Sequence, residues 1–167
     1  MRILAIDPGS EQSGWIVYDT IEGIPVRVDG NLECGKDPNE TLRLRICDGG
    51  FWWLPDLLAI EYVHLRGMPV MQQVLDTQFW AGRFVEAWRG DWRPINRADV
   101  KLAVCGSARA TDANIRQALL DLFPARGGGK TPQVGTKSQP GPLYGVKGDV
   151  WSALAIAITA AQTKGAT

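Results

Sequence analysis

Two apolar runs constrain this chain most: RILAID at residues 2–7 and LLAIE at residues 57–61. LLAIEY, at residues 57–62, does not alternate polar and apolar side chains, as a strand wetted on one face would. It reads instead as a strand covered on both faces, which requires helices above and below a sheet. Both runs end in an acid, Asp7 and Glu61. A carboxylate at the end of a buried strand is costly unless it is paired, solvated or bound to a metal ion.

The remaining elements fit around these two strands. DPGS and Gly14 are turn signals. GWIVYDT (residues 14–20) reads as a second strand, and IPVRVDGNLE (residues 24–33) alternates like a third. An antiparallel meander is expected. Asp37-Pro38-Asn39-Glu40 resembles a helix start, followed by Leu42, Leu44 and Ile46. Residues 70–89 give the longest helical pattern, with an apolar face of Val70, Met71, Val74, Leu75, Phe79, Gly82, Val85 and Trp88. WRPIN (residues 92–96) is a fifth strand, RADVKLAVCG a short helix, and residues 112–123 another. Residues 126–148 hold seven glycines, three prolines and four basic residues but no acid. That composition predicts a flexible loop that buries little. KGDVWSALAIAITAAQ then closes the chain with a buried helix over about residues 149–162. The order predicts one α/β domain over residues 1–167: a mixed five-stranded sheet, three strands antiparallel and two parallel, with helices on both faces.

Composition excludes some classes. There is no apolar run of about 18 residues, so no membrane span is expected. The amino-terminal MRILAIDPGS lacks the apolar core and cleavage site of a signal peptide, so a cytoplasmic location is expected. Three cysteines without CxxC spacing argue against a disulfide framework or a zinc site. Formal net charge is zero, yet residues 1–60 carry five basic and ten acidic side chains, and the remainder thirteen and eight. Such a distribution suits a protein with one cationic face.

Asp149 opens the closing helix behind a glycine. Alone it reads as a helix N-cap. Together, Asp7, Glu61 and Asp149 suit a hard cation with oxygen ligands, Mg²⁺ or Mn²⁺. Two such ions can clamp a phosphoryl group during in-line displacement without a protein nucleophile.

At this point the chain resembles the RuvC family of Holliday junction resolvases. AIDPGSEQSGW is similar to the family's first motif, AIEYV to its second, RADVKLAVCGSARA to its VK segment, and GDVWSALAIAIT to its carboxy-terminal acidic helix. GMPV, NIRQAL and GPLYGV resemble a RuvC-like group common in phage and prophage genomes. The resemblance implies an RNase H-like fold and a homodimeric, Mg²⁺- or Mn²⁺-dependent endonuclease that nicks four-way or branched DNA. For a phage-encoded chain the location would be the host cytoplasm. Asp7, Glu61 and Asp149 become metal ligands by motif position. The family's fourth ligand falls on Ser152, a poorer ligand than a carboxylate; Asp112 is a substitute, although TDANI reads more simply as a helix cap.

DNA-facing candidates follow from the same segments. Lys101 lies in the VK segment, Arg109 in the GSARA loop, and Lys130, Lys137 and Lys147 in the glycine-rich loop. Such residues neutralise phosphates. His64, three residues after Glu61, stands where relatives often carry an aromatic, and Tyr62 and Arg66 are neighbours. An imidazole there can stack on a base. Competing readings are an RNase H-type nuclease on RNA–DNA hybrids, a catalytically silent junction-binding protein suggested by Ser152, and an actin-like or sugar-kinase domain suggested by the DPGSEQSGW turn. The last needs two such domains, for which 167 residues are too few.

Overall fold

A computed structural model describes residues 1–51, 54–63 and 71–163. The chain begins with β1 (Arg2–Asp7) and β2 (Gln12–Asp19), continues through the short strands β3 (Ile24–Pro25), β4 (Arg27–Val28) and β5 (Asn31–Leu32), and reaches β6 (Cys34–Pro38) and α1 (Asn39–Cys47). Then come β7 (Leu57–Glu61), α2 (Gln72–Trp88), β8 (Trp92–Ile95), α3 (Arg97–Cys105), α4 (Asp112–Asp121) and α5 (Val150–Gln162).

The main sheet runs β3-β2-β1-β7-β8, with β6 also on β2. β1 pairs antiparallel with β2 and parallel with β7, and β7 pairs parallel with β8. This is the mixed sheet expected from the sequence, with one refinement. The third strand is split. β3 and β6 lie on the same edge of β2, at its end and its start. Between them the chain leaves the sheet as a small antiparallel ribbon, β4 with β5. Asp29 (φ 48°) and Gly30 (φ 80°) turn that ribbon. Both φ values are positive, the geometry of a tight hairpin turn for which Asp-Gly is favoured. Val17 bridges the break: its N–H donates to Glu33 and its carbonyl accepts from Val26.

Strand alternation sorts the core into two layers. Ile3, Ala5, Ile16, Leu57 and Ala59 face α3, α4 and α5. Leu4, Ile6, Val17, Leu58 and Ile60 face α1 and α2. All of these are nearly or fully buried. α5 is apolar around most of its circumference because it is covered on nearly all sides: residues 153–160 are buried without interruption. Each large side chain there, such as Leu154 or Ile156, contributes roughly 1.5–3 kcal/mol by burial.

The face of α2 divides. Ala81, Phe84 and Ala87 pack on the sheet, whereas Met71, Leu75 and Phe79 are exposed, at 65%, 49% and 62%. The sequence pattern merged two stripes that the structure separates. Residues 126–148 also depart from the composition-based expectation that they bury little. Leu143 and Val146 enter the core beside α5. Gly127 donates to Pro132, Gly128 to Gln139 and Gly141 to Val134, and Arg27 donates to the carbonyls of Gly141 and Pro142. Among the described residues no helix is long and apolar enough to cross a membrane.

Candidate active site

The adjoining carboxyl ends of β1 and β7 place the first two acids together. Ile6 is in register with Ile60, so Asp7 and Glu61 follow side by side. By alternation from Ala5 and Ala59, both side chains project toward the α5 face. Their carboxyl groups are within hydrogen-bonding reach, and Asp7 titrates at about 8. Burial is the largest cause; the hydrogen bond to Glu61 and its charge add to it. Two carboxylates so placed share a proton or require a cation. Ser152 donates a hydrogen bond to Asp7, and the Arg97 charge also favours the ionised form.

The turn after Asp7 is locked by buried polar groups. Ser13 accepts from the Gly9 amide (3.2 Å) and donates to Asn39 Oδ1 (2.6 Å); Asn39 Nδ2 donates to the Gly9 carbonyl (3.0 Å). A Cβ on Gly9 would lie 2.3 Å from the Gln12 carbonyl oxygen, so the turn tolerates only glycine. Ser13 and Asn39 were not legible as site residues, since their contact depends on how α1 docks. The signal that could have found Ser13 is a serine at the start of the strand that follows the strand-end acid and its glycine turn.

Asp149 arrives from the other side. A Cβ on Gly14 would meet the Asp149 backbone at 2.7 Å, which is how α5 approaches the sheet so closely. Asp7 is in register with Gly14, and Gly14 with Lys36. These residues therefore form one row across the sheet end. Asp149 makes no capping hydrogen bond to its own helix. Its carboxylate instead pairs with Lys36 Nζ at 2.7 Å, with about half of each side chain exposed. That contact raises the Lys36 ammonium above its usual range, and Asp7 adds to the effect. Among the described residues no three His, Cys, Asp or Glu side chains are grouped to hold a metal ion. Asp7 and Glu61 are brought together with Ser152; Asp149 stands nearby, turned to a lysine.

Asp112, the alternative fourth ligand, pairs with Arg97. The cap of α4 is Thr111, in a reciprocal capping box with Asn114. Lys36 and Arg97 were absent from the sequence-based site. Lys36 becomes visible only once the register of β6 on β2 is known. Arg97 had a weak signal, as the first residue of a helix that follows a parallel strand.

Among the DNA-facing candidates, Lys101 is half-buried on α3, while Arg109, Lys130, Lys137 and Lys147 are exposed. None of the five forms an ion pair with a described residue. Tyr62 is 40% exposed. His64 and Arg66 lie outside the described residues.

No family model matches the chain, and no curated protein matches it. Among solved structures it is similar to Thermus thermophilus RuvC, with a TM-score of 0.64 and 18% identity over 100% of this chain and 98% of that one. It is also similar to T. thermophilus RuvC in complex with Holliday junction substrate, with a TM-score of 0.67 and 15% identity over 100% and 97%. The chain thus has the fold of these RuvC structures, the RNase H-like arrangement expected from its sequence.

Proposed function

We propose that this protein is a divalent-metal-dependent endonuclease that acts as a homodimer on Holliday junctions and other branched DNA, cutting by paired nicks. The observation that carries the reading is the Asp7–Glu61 pair, two carboxyls forced together at a sheet end and left short of positive charge. Its setting in a fold shared with a RuvC structure solved with a Holliday junction supports the choice of substrate.

The donor set fits a hard cation. Asp7 and Glu61 offer only oxygen, Ser152 adds a hydroxyl, and the deficit of positive charge at Asp7 is the kind a divalent ion relieves. Asp7 and Glu61 would hold Mg²⁺ or Mn²⁺, and Asp149 would join them by exchanging Lys36 for the metal; with Asp149 engaged, the site would take the two ions expected from the sequence. Bound metal would supply Lewis-acid charge for hydrolysis of a phosphodiester. The chain's own residues do the positioning. Ser152 and Arg97 favour the ionised form of Asp7 that a metal would need, the Ser13–Asn39 pair fixes the turn beside it, and Gly14 lets α5 carry Asp149 and Ser152 to the sheet. Lys101, Arg109, Lys130, Lys137 and Lys147 supply positive charge for the DNA backbone, and His64 and Arg66 remain candidates for contacts at the junction centre.

The test is cleavage of an immobile four-way junction, with linear duplex and RNA–DNA hybrid as controls, in Mg²⁺, Mn²⁺ and chelator. Junction-specific cutting that needs the metal is expected, and Asp7→Asn should abolish it while junction binding persists. Preference for the hybrid would overturn the substrate assignment. Tight junction binding with no cutting in either metal would instead support a silent junction-binding protein, the reading that Ser152 and the Lys36–Asp149 pair favour.

A further inference from the structure

A cavity of about 240 Å³ lies beside Ser152, lined by Arg97, Asp112, Ile115, Arg116, Trp151 and Ser152 among others. It shares Ser152 and Arg97 with the surroundings of Asp7, which puts it next to the carboxylate pair. Its charge is unbalanced. Asp112 answers one guanidinium, that of Arg97. Arg116 forms no ion pair with a described residue and lies over the Trp151 ring, 5.0 Å from its centroid. Stacking fixes the plane of a guanidinium and leaves its N–H edge free to donate, the preparation suited to a phosphate. Ile115 and Trp151 give the cavity an apolar side that a sugar ring can cover. The volume is below the usual range for a drug-sized ligand and is right for a sugar–phosphate unit.

The geometry points to this cavity as a subsite for the backbone phosphate and sugar of a nucleotide next to the bond being cut, with Arg116 as the phosphate-binding residue and Arg97 positioned between subsite and carboxylates. The inference rests on the nuclease reading and adds to it a contact that sets where along the strand the cut falls. Lys36 cannot take this role, because it stands at the other end of the row, on β6.

The experiment uses the full chain and a four-way junction in chelator, so that binding is read without cutting. Affinity is measured against salt for the wild type, Arg116→Ala and Arg116→Lys. Arg116→Ala should weaken binding on the order of tenfold and lower the slope of log affinity against log salt by about one phosphate's worth; Arg116→Lys should restore the slope. A junction series with single methylphosphonates near the cut site is then bound to the wild type and Arg116→Ala. One neutral linkage should weaken the wild type and add nothing to the loss in Arg116→Ala. Additive losses at every position, or a wild-type salt slope in Arg116→Ala, would overturn the subsite while leaving the nuclease reading intact. Failure of the wild type to bind the junction at all would overturn both. Should Arg116→Ala not fold, as read by its thermal midpoint, the neutral but longer Arg116→Gln variant takes its place in the salt titration and the methylphosphonate series, with the same outcomes expected and excluded. Excess inorganic phosphate should compete weakly and equally against junction binding by the wild type and by Arg116→Ala if the cavity selects a DNA-borne phosphate; selective competition against the wild type would overturn the subsite in favour of a free-phosphate site.

Discussion

Burial, and then the Glu61 carboxyl that β7 sets beside it, hold the Asp7 carboxyl well above the usual carboxylate range. Its pKa rises from 3.8 to about 8 on folding. Between those values the folded chain binds a proton that the unfolded chain has lost, so the metal-free protein should lose stability as pH climbs from about 4 to about 8. Thermal midpoints in chelator should fall across that range, and Asp7→Asn should flatten the fall. Added Mg²⁺ should stabilise the wild type more at pH 8 than at pH 5, since metal and proton compete for one carboxylate. A pH-independent midpoint would show that folding does not raise the Asp7 pKa. Lys36 supports a second prediction. It occupies the Asp149 carboxylate at 2.7 Å. Lys36→Ala should therefore tighten Mn²⁺ binding several-fold, read by the loss of the free-ion electron paramagnetic resonance signal; unchanged affinity would show that Asp149 stays out of the metal site. Asp7 and Glu61 were legible in the sequence because each ends an uninterrupted apolar run, where a charge demands an explanation. Lys36 and Arg97 were not, because a lysine or arginine in mid-sequence looks solvated until strand register and helix docking place it.

At the scale of elements, the site depends on how closely α5 approaches β2. Gly14 provides that approach. A methyl group there would sit 2.7 Å from the Asp149 carbonyl carbon and oxygen, so backbone must move. Gly14→Ala should cost about 1–3 kcal/mol by overpacking. It should also cut activity more than stability predicts, because the helix carries both Asp149 and Ser152. Denaturant unfolding set beside cleavage rate checks this; a variant with wild-type activity would show that α5 need not seat so deeply. The elements themselves were mostly readable, since apolar runs and helical periodicity reflect local burial. Two readings erred for non-local reasons. The IPVRVDGNLE stretch looked like one strand because alternation continues through the β4–β5 ribbon, although its Asp-Gly dipeptide marked the turn. Residues 126–148 looked featureless because their order comes from backbone hydrogen bonds among glycines and from Leu143 and Val146 reaching the α5 layer, neither of which leaves a periodic pattern.

For the whole molecule, a four-way junction presents symmetry-related strands, and a twofold dimer would place one site on each of two. The surface that suits such a dimer is the outer stripe of α2. Met71, Leu75 and Phe79 recur every four residues, so they line one side of the helix, and a Cβ on Gly82 would meet nothing within 4 Å. A large exposed apolar stripe is uncommon on a monomer and marks an interaction surface. The stripe is separate from the inner face, where Phe84 is fully buried, so it can be altered without disturbing the core. Phe79→Asp should leave the thermal midpoint of the dilute protein within a few degrees of the wild type. Light scattering should show the wild type as a dimer and the variant as a monomer. On a junction with each strand labelled separately, the variant should still make single nicks, because Asp7 and Glu61 come from one chain, but should lose the coupling between opposed cuts. A monomeric wild type would remove α2 as the dimer surface. A dimeric variant with coupled cuts would place the contact elsewhere on the molecule.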